Sequence, residues 1–233
     1  MDSYSARYGS AYYCAGLRSY LVRVYNYMAM ALGVTGIVAY VVSQSGGLMS
    51  AIYGTPLHWV VAIAPMIMVF VMAARIQKMS LKSMMVVFFG FSAVMGLSLS
   101  YIFIVYTSHS IARVFFISST MFGLMALYGN TTKKDLSRFS SFLYMGVVGL
   151  IVASVVNWFM MSGPLHFAIS LVSVLVFTAL TAVNAQEIKD MYYRFNDGSD
   201  VTSGKMAIMG ATSLYFAYIN IFISLLHLMG DRR

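Results

Sequence analysis

The chain has 233 residues, of which 60% are hydrophobic and only 9% are charged, whereas soluble domains carry roughly a quarter charged residues. So few charges cannot cover a water-facing surface, and the composition therefore excludes a soluble enzyme and a disordered chain. The net charge of +8 does not indicate a nucleic-acid partner, because the basic residues lie between apolar runs and form no single polar face. The composition predicts a membrane protein, with the lipid bilayer as its main partner.

Seven apolar segments follow one another along the chain, each close to the ~20 residues that cross a bilayer core as a helix. A polar segment, residues 1–23, precedes them and is predicted to be a tail, while residues 24–230 form the membrane domain. The predicted spans are residues 24–43, 57–74, 84–106, 111–128, 140–161, 165–185 and 206–229. The predicted fold class is an all-α membrane protein, a bundle of seven transmembrane helices without a soluble domain.

Lys and Arg residues indicate the orientation of the bundle, because cytoplasmic loops retain them. Three lie in the N-terminal tail, and three lie in each of the loops after the second, fourth and sixth spans. The opposite side carries only Arg113, Arg232 and Arg233. The asymmetry predicts a cytoplasmic N-terminus and a C-terminus on the outer side.

Small and polar residues recur three and four positions apart in three spans, which is the spacing of one helix face. The three stripes are Asn26, Ala29, Gly33, Gly36 and Tyr40 in the first span, Gly146, Gly149, Ala153 and Asn157 in the fifth, and Gly210, Ser213, Ala217, Asn220, Ser224 and His227 in the seventh. Small residues let helices approach closely in lipid, so the stripes favour helix packing. A wetted pathway is the alternative, because polar groups at membrane depth usually face a cavity.

No Asp or Glu lies within a predicted span, although ion and proton pathways commonly use buried carboxylates. The deepest polar side chains are Asn157, Asn184 and Asn220, which can coordinate a cation but cannot titrate. The four histidines fall at the outer ends of spans, with no spacing that fixes two metal ligands on one helix face. No metal site, cofactor or catalytic residue is predicted, and no His-Glu-x-x-His or Gly-x-Ser-x-Gly sequence indicates an enzyme.

Several stretches, in order along the chain, resemble the Bax inhibitor-1 family of transmembrane proteins, in its bacterial YccA-like branch. They are residues 17–21 (Leu-Arg-Ser-Tyr-Leu), 24–29 (Val-Tyr-Asn-Tyr-Met-Ala), 96–100 (Gly-Leu-Ser-Leu-Ser), 110–116 (Ser-Ile-Ala-Arg-Val-Phe-Phe) and 131–136 (Thr-Thr-Lys-Lys-Asp-Leu). The resemblance covers about residues 16–230 and implies a bundle whose seventh helix is central. It also implies a bacterial inner-membrane location and a pH-sensitive calcium leak.

The family pairs an Asp of the sixth helix with an Asp of the seventh, and the shared proton of such a pair gates the path. The resemblance places Asn184 at the first Asp position, within Leu-Thr-Ala-Val-Asn-Ala-Gln, and Ala217 at the second, within Phe-Ala-Tyr-Ile-Asn. Asn220 ends the second stretch and completes the predicted ion-pathway positions. An amide and a methyl group cannot perform the proton chemistry of two carboxylates.

An Arg of the second helix latches to the acidic pair in the family, and Arg75 looks like that residue. Glu187 lies three residues after Asn184 and therefore shares its helix face. We predict that Arg75 pairs with Glu187 and holds the cytoplasmic end shut. The alternative is that both are solvated loop charges, since exposed ion pairs contribute little.

Two functions are compatible with these features. The first is a leak channel for Ca²⁺ or other cations, inherited from the family but without its pH-sensing pair. The second is a non-conducting protein that binds the membrane protease FtsH and modulates it, as some bacterial members of the family do. The second role needs surfaces and tails, so deletion of residues 1–18 is expected to abolish it and to spare the first.

Overall fold

A computed structural model describes the backbone of residues 2–75, 79–195 and 199–233, and the side chains of residues 16–65, 67–68, 79–195 and 199–233. Within these ranges the chain forms nine helices. They are α1 (Asp2–Gln44), α2 (Gly46–Tyr53), α3 (Leu57–Arg75), α4 (Leu81–Leu99), α5 (Ile102–Val105), α6 (Ser108–Thr131), α7 (Ser137–Met160), α8 (Gly163–Phe195) and α9 (Asp200–Met229). The predicted all-helical class is confirmed.

Six segments of the structure are long and apolar enough to cross a membrane. They are α1 from Gly16 onward, α4 together with α5, and α6 to α9. A seventh span requires that α2 and the first part of α3 cross together, although they meet at an angle of 88°. The structure therefore confirms a multi-pass membrane protein with six to seven candidate spans.

The segment between the first and second predicted spans forms a helix of its own, α2. Eight residues are too few to cross a bilayer core. Ile52 is buried, and the Tyr53 hydroxyl donates to the carbonyl oxygen of Leu97 at 3.2 Å. These contacts fix α2 against α4 and set the sharp bend that leads into α3.

Helix α1 begins well before its membrane-spanning part. Its 43 residues correspond to a length of about 65 Å, roughly twice the thickness of a hydrocarbon core. Residues 2–23, predicted to be a tail, are therefore continuous with the first span.

Helix α9 is the most deeply buried of the spans, with 61% of its most apolar window inside the protein, compared with 11% for α7. It packs against α1, α4, α6 and α8. Its buried residues include Leu214, Tyr215 and Ile221, which join side chains of α1, α4 and α6 in the main hydrophobic cluster. Helix α9 thus contributes buried side chains to contacts with four other helices.

The glycines of the α1 stripe do not pack against another helix in the described bundle, so the packing prediction is wrong for them. The last stripe member, Tyr40, contacts the Phe103 ring of α5, with the centroids 6.0 Å apart. All five members of the stripe, from Asn26 to Tyr40, are exposed. A side chain added at Gly33 or Gly36 would meet nothing within 4 Å. The opposite face of α1 is buried instead, through Val24, Met28, Ala31, Thr35, Ala39 and Val42. That face combines small and larger side chains, and α1 packs mainly against α4 and α9.

Two other glycines permit close contact between helix backbones. A Cβ atom at Gly129 of α6 would collide with the backbone of Ala182 on α8. A Cβ atom at Gly96 of α4 would lie 2.7 Å from the carbonyl oxygen of Thr35 on α1. At these crossings the absence of a side chain is required by the geometry.

Candidate functional site between helices α8 and α9

Asn184 lies in the middle of the most buried stretch of α8, Leu180 to Ala185, and only 7% of its surface is exposed. Its Nδ2 donates to the carbonyl oxygen of Ser213 on α9 at 3.5 Å. Its Oδ1 accepts from the Tyr144 hydroxyl of α7 at 3.4 Å. Both distances are long for hydrogen bonds, so each contact is weak. Together they place the Asn184 amide where α7, α8 and α9 meet.

Ala217 lies one turn after Ser213 on α9 and is 2% exposed. The structure therefore places the Asn184 amide against the turn of α9 that precedes Ala217. Asn220 lies outside this contact, because its Nδ2 donates to the carbonyl oxygen of Phe216 in the same helix at 2.8 Å. The Nδ2 group of Asn220 is therefore satisfied within α9.

The predicted latch is only partly described. Glu187 is partly buried on α8, whereas the Arg75 side chain lies outside the described residues. Their pairing stays a prediction. Among the described side chains, the buried polar ones are Asn184 and the hydroxyl residues Thr35, Ser92, Ser100, Ser110, Ser118, Ser170, Ser173, Thr181 and Ser224. The described core therefore contains no buried carboxylate that could share a proton.

The four histidines begin or end helices at one end of the bundle: His58 begins α3, His109 begins α6, His166 begins α8 and His227 ends α9. The rings of His166 and His227 pack with their centroids 4.7 Å apart. No group of three or more His, Cys, Asp or Glu side chains gathers in the part of the chain that the structure describes. A structural metal usually needs four such ligands.

The third predicted asparagine, Asn157, makes a hydrogen bond to the turn that follows α7. Its Oδ1 accepts from the backbone N–H of Ser162 at 3.2 Å. The turn also contains Met161, whose φ of 49° places it in the left-handed region. Asn157 therefore stabilises the end of α7.

Two tyrosines of α9 connect it to neighbouring helices through hydrogen bonds of their hydroxyl groups. The sequence alone did not identify these two residues. The Tyr215 hydroxyl lies 2.7 Å from Thr35 Oγ1 of α1, and Thr35 also donates toward the carbonyl oxygen of Ser92 on α4 at 2.9 Å. The Tyr218 hydroxyl lies 3.0 Å from Ser119 Oγ of α6. A tyrosine in the middle of a span is a usable signal, because its hydroxyl needs a partner in lipid.

Gln186, two residues after Asn184, fixes the loop between α6 and α7. Its Oε1 accepts from the backbone N–H of Leu136 at 2.7 Å, and its Nε2 donates to the carbonyl oxygen of Lys134 at 2.9 Å. Lys189 donates to the carbonyl oxygen of Asn130 at 3.2 Å. The end of α8 nearest this loop is therefore tied to it by polar contacts.

The chemistry available at the α8–α9 contact follows from these groups. An amide, a methyl group and hydroxyls neither gain nor lose a proton near neutral pH. They can join helices through hydrogen bonds, and their oxygens can contact a cation. No carboxylate is among them, and the nearest one along α8 is Glu187, which is partly buried three residues after Asn184.

Comparison with known proteins identifies the family. A family model described as "Inhibitor of apoptosis-promoting Bax1" matches residues 17–233. The chain is 40% identical to the uncharacterized protein RP147 of Rickettsia prowazekii over 94% of this chain and 92% of that protein. It is 39% identical to the inner membrane protein YbhL of Escherichia coli K12 over 94% of each chain. An uncharacterized membrane protein of Streptococcus pyogenes serotype M1 is 32% identical over 92% of this chain and 93% of its own length. The chain therefore belongs to the Bax inhibitor-1 family.

Proposed function

We propose that this protein is a bacterial inner-membrane member of the family with seven spans and a central α9, and that its cation leak pathway lacks the pH-sensing carboxylate pair. The printed name of the Escherichia coli relative supports the inner-membrane location. The basic residues of the loops support a cytoplasmic N-terminus. The burial of α9 and its packing against four helices support the central position.

The observation that carries this proposal is the environment of Asn184. Its amide occupies the place where α8 approaches α9, with Ser213 and Tyr144 as hydrogen-bond partners. An amide keeps the same charge at every physiological pH, so protons have no means of opening or closing this contact. The leak of Ca²⁺ or another cation is therefore expected to be small and independent of pH.

The test is calcium flux from proteoliposomes across a step from neutral to acidic pH. The native protein is compared with a double variant that carries Asn184→Asp and Ala217→Asp. The double variant is expected to gain a pH-dependent flux, because two adjacent carboxylates share a proton and titrate as a coupled pair. The Asn157→Asp variant is the matched control, since it adds one carboxylate at the end of α7, where an Asp oxygen can still accept from the backbone N–H of Ser162.

Two outcomes would contradict the proposal. A native protein whose flux responds to pH would show that another group gates the path. A double variant that folds, as judged by its helical circular dichroism, but remains insensitive to pH would show that the α8–α9 contact is not the gate. Asn157→Asp is expected to behave like the native protein.

A second function is favoured by the length of α1. We propose as the alternative that the protein does not conduct ions and modulates the membrane protease FtsH through the part of α1 outside the bilayer. The helix continues to Asp2, far beyond the length that a bilayer core requires. Deletion of residues 1–18 is expected to abolish co-purification with FtsH and to leave any calcium flux unchanged. Unchanged co-purification after the deletion would remove this alternative.

A further inference from the structure

A lateral groove opens on the surface of the bundle between α1 and α6, and α9 forms its base. The groove has a volume of about 320 Å³. Gly36 of α1 and Ala112 and Phe115 of α6 form its exposed edges, and Ile219 and Phe222 of α9 lie beneath them. Because all three helices are candidate membrane spans, the groove faces the hydrocarbon of the bilayer.

The polar groups beside the groove are already satisfied inside the protein. Thr35 lies at its base, and its hydroxyl bonds to Tyr215 and to the carbonyl oxygen of Ser92. The Tyr218 hydroxyl bonds to Ser119. The surface that remains for an occupant is almost entirely apolar. It suits a hydrocarbon chain better than water, since water in a cavity needs two to four polar partners.

Arginine side chains gather at one end of the groove. Arg113 directly follows the lining residue Ala112, and its guanidinium donates to the Asp231 carboxylate at 3.2 Å and to the carbonyl oxygen of Met229 at 2.8 Å. Its side chain is nevertheless 44% exposed. This leaves part of the cation accessible to a further partner.

Arg232 and Arg233 are held at the same end by backbone pairing. The N–H of Arg233 donates to the carbonyl oxygen of Val105 at 2.9 Å, and Arg232 forms an antiparallel bridge with Tyr106. These partners lie between Phe103 and Ser108, two residues that line the groove. Both arginines are exposed. Three arginines therefore lie close to this end of the groove, and Asp231 pairs with one of them, Arg113.

We propose that the lateral groove is a binding site for one anionic phospholipid. An acyl chain lies in the groove between α1 and α6, and the headgroup phosphate contacts Arg113, Arg232 and Arg233. The charge at the groove end identifies the headgroup, because arginine matches phosphate in charge and in hydrogen-bond geometry. The apolar lining and the opening toward the bilayer identify the tail. This site does not depend on the proposed cation pathway.

The first test maps where a lipid lies on the protein. The full chain is reconstituted in nanodiscs that contain phosphatidylglycerol with a photoactivatable diazirine in its acyl chain, and labelled peptides are identified by mass spectrometry. Labelling of the segments that contain Phe115 and Phe222 is expected to exceed labelling of the α7 segment that contains Phe142 and Phe159. The α7 residues are more exposed, so labelling that follows exposure alone would overturn the proposal.

The second test uses two matched glycines of α1. Gly36→Phe places a ring in the groove, whereas Gly33→Phe places the same ring on the same exposed stripe outside it. Native mass spectrometry counts the phosphatidylglycerol molecules that stay bound as detergent is exchanged. Gly36→Phe is expected to lose the retained lipid and Gly33→Phe to keep it. Equal retention of phosphatidylglycerol by both variants would overturn the proposal. A second copy of this chain bound in place of the lipid would also overturn it.

The third test addresses the headgroup. Replacing both Arg232 and Arg233 by Gln is expected to weaken phosphatidylglycerol retention about fivefold for each arginine removed. Retention of zwitterionic phosphatidylcholine is expected to be low in the native protein and unchanged by the substitutions. A native protein that retains both lipids equally would show that charge plays no part in recognition.

Discussion

Helices α1 and α9 carry the same pattern of small and polar residues, yet the structure uses the two patterns differently. On α9 the stripe members Gly210, Ala217 and Ser224 are buried, and a Cβ atom at Gly210 would lie 2.9 Å from the Ile188 side chain of α8. On α1 the stripe is exposed, and a Cβ atom at Gly33 would meet nothing. The spacing therefore identifies a helix face of small and polar residues. It does not determine whether protein or lipid covers that face.

The buried face of α1 contains no glycine, although Ala31, Thr35 and Ala39 on it are small. Met28 lies in the main hydrophobic cluster, and Thr35 supplies one polar contact to Tyr215 of α9. In lipid, packing and hydrogen bonds hold helices together, because apolar burial alone offers little gain. A face of mixed side-chain size with one hydroxyl can therefore pack α1 against its neighbours without a glycine of its own.

The largest effect is expected where a glycine faces another backbone. Gly129→Val on α6 should lower the free energy of unfolding by about 3 kcal/mol or more, since the backbone of Ala182 cannot move aside and overpacking of this kind costs 1–3 kcal/mol or more. Gly33→Val on the open stripe of α1 should change it by less than about 0.5 kcal/mol. Thermal unfolding in detergent, followed by circular dichroism, measures both.

The Gly33 variant also serves as the control for the valine side chain itself, because both positions are helical. If the two variants unfold at the same temperature, the distinction between packed and open glycines fails. A destabilised Gly33→Val variant would indicate that a partner covers the stripe of α1 in the detergent-solubilised protein.

The second expected effect concerns the polar contact between the two helices. Tyr215→Phe removes the hydroxyl that meets Thr35 and should lower the free energy of unfolding by about 0.6–1.7 kcal/mol, as hydrogen bonds between membrane helices usually contribute. Tyr40→Phe, on the exposed stripe of α1, should have no measurable effect. A double-mutant cycle with Thr35→Val isolates the pair, and additive losses would show that the two hydroxyls do not interact.

The sequence predicted the helical class, the positions of most spans and the family, because long apolar runs and local motifs carry that information within a few residues. It also placed Asn184 near the α9 turn that holds Ala217, through the resemblance. It could not identify the contact of Tyr215 with Thr35, whose partners are 180 positions apart. It also could not determine which face of α1 is buried, since that depends on the side chains of α4, α6 and α9.

The third expected effect compares the two ends of α9. Asp231 follows α9 and bonds to Arg113 of α6 at 3.2 Å, while its N–H donates to Ser110 Oγ at 2.9 Å. Asp200 begins α9 and lies 3.7 Å from Arg23 of α1, with its side chain 96% exposed. Asp231→Asn should lower the free energy of unfolding by about 0.5 kcal/mol and Asp200→Asn by close to zero.

Thermal unfolding at low and high salt separates these two ion pairs. The loss in Asp231→Asn should diminish as salt screens the native pair. Equal losses in both variants would show that the link of α9 to α6 is no stronger than its link to α1.

The smallest effect is expected at the start of α7, the least buried span, where Asp135 precedes the helix. Hydrogen bonds from the Ser137 hydroxyl and backbone N–H hold the pKa of the Asp135 carboxyl below its usual value. Because the folded-state pKa is lowered, this contribution to stability is present above the unfolded value of about 3.9 and disappears as the pH falls through the folded-state pKa. Titration of the Asp135 carboxyl carbon by NMR should give a pKa that rises toward the unfolded value in Ser137→Ala. An identical titration in the two proteins would mean that Ser137 does not hold the carboxylate, and that the first turn of α7 depends on its packing against α8 alone.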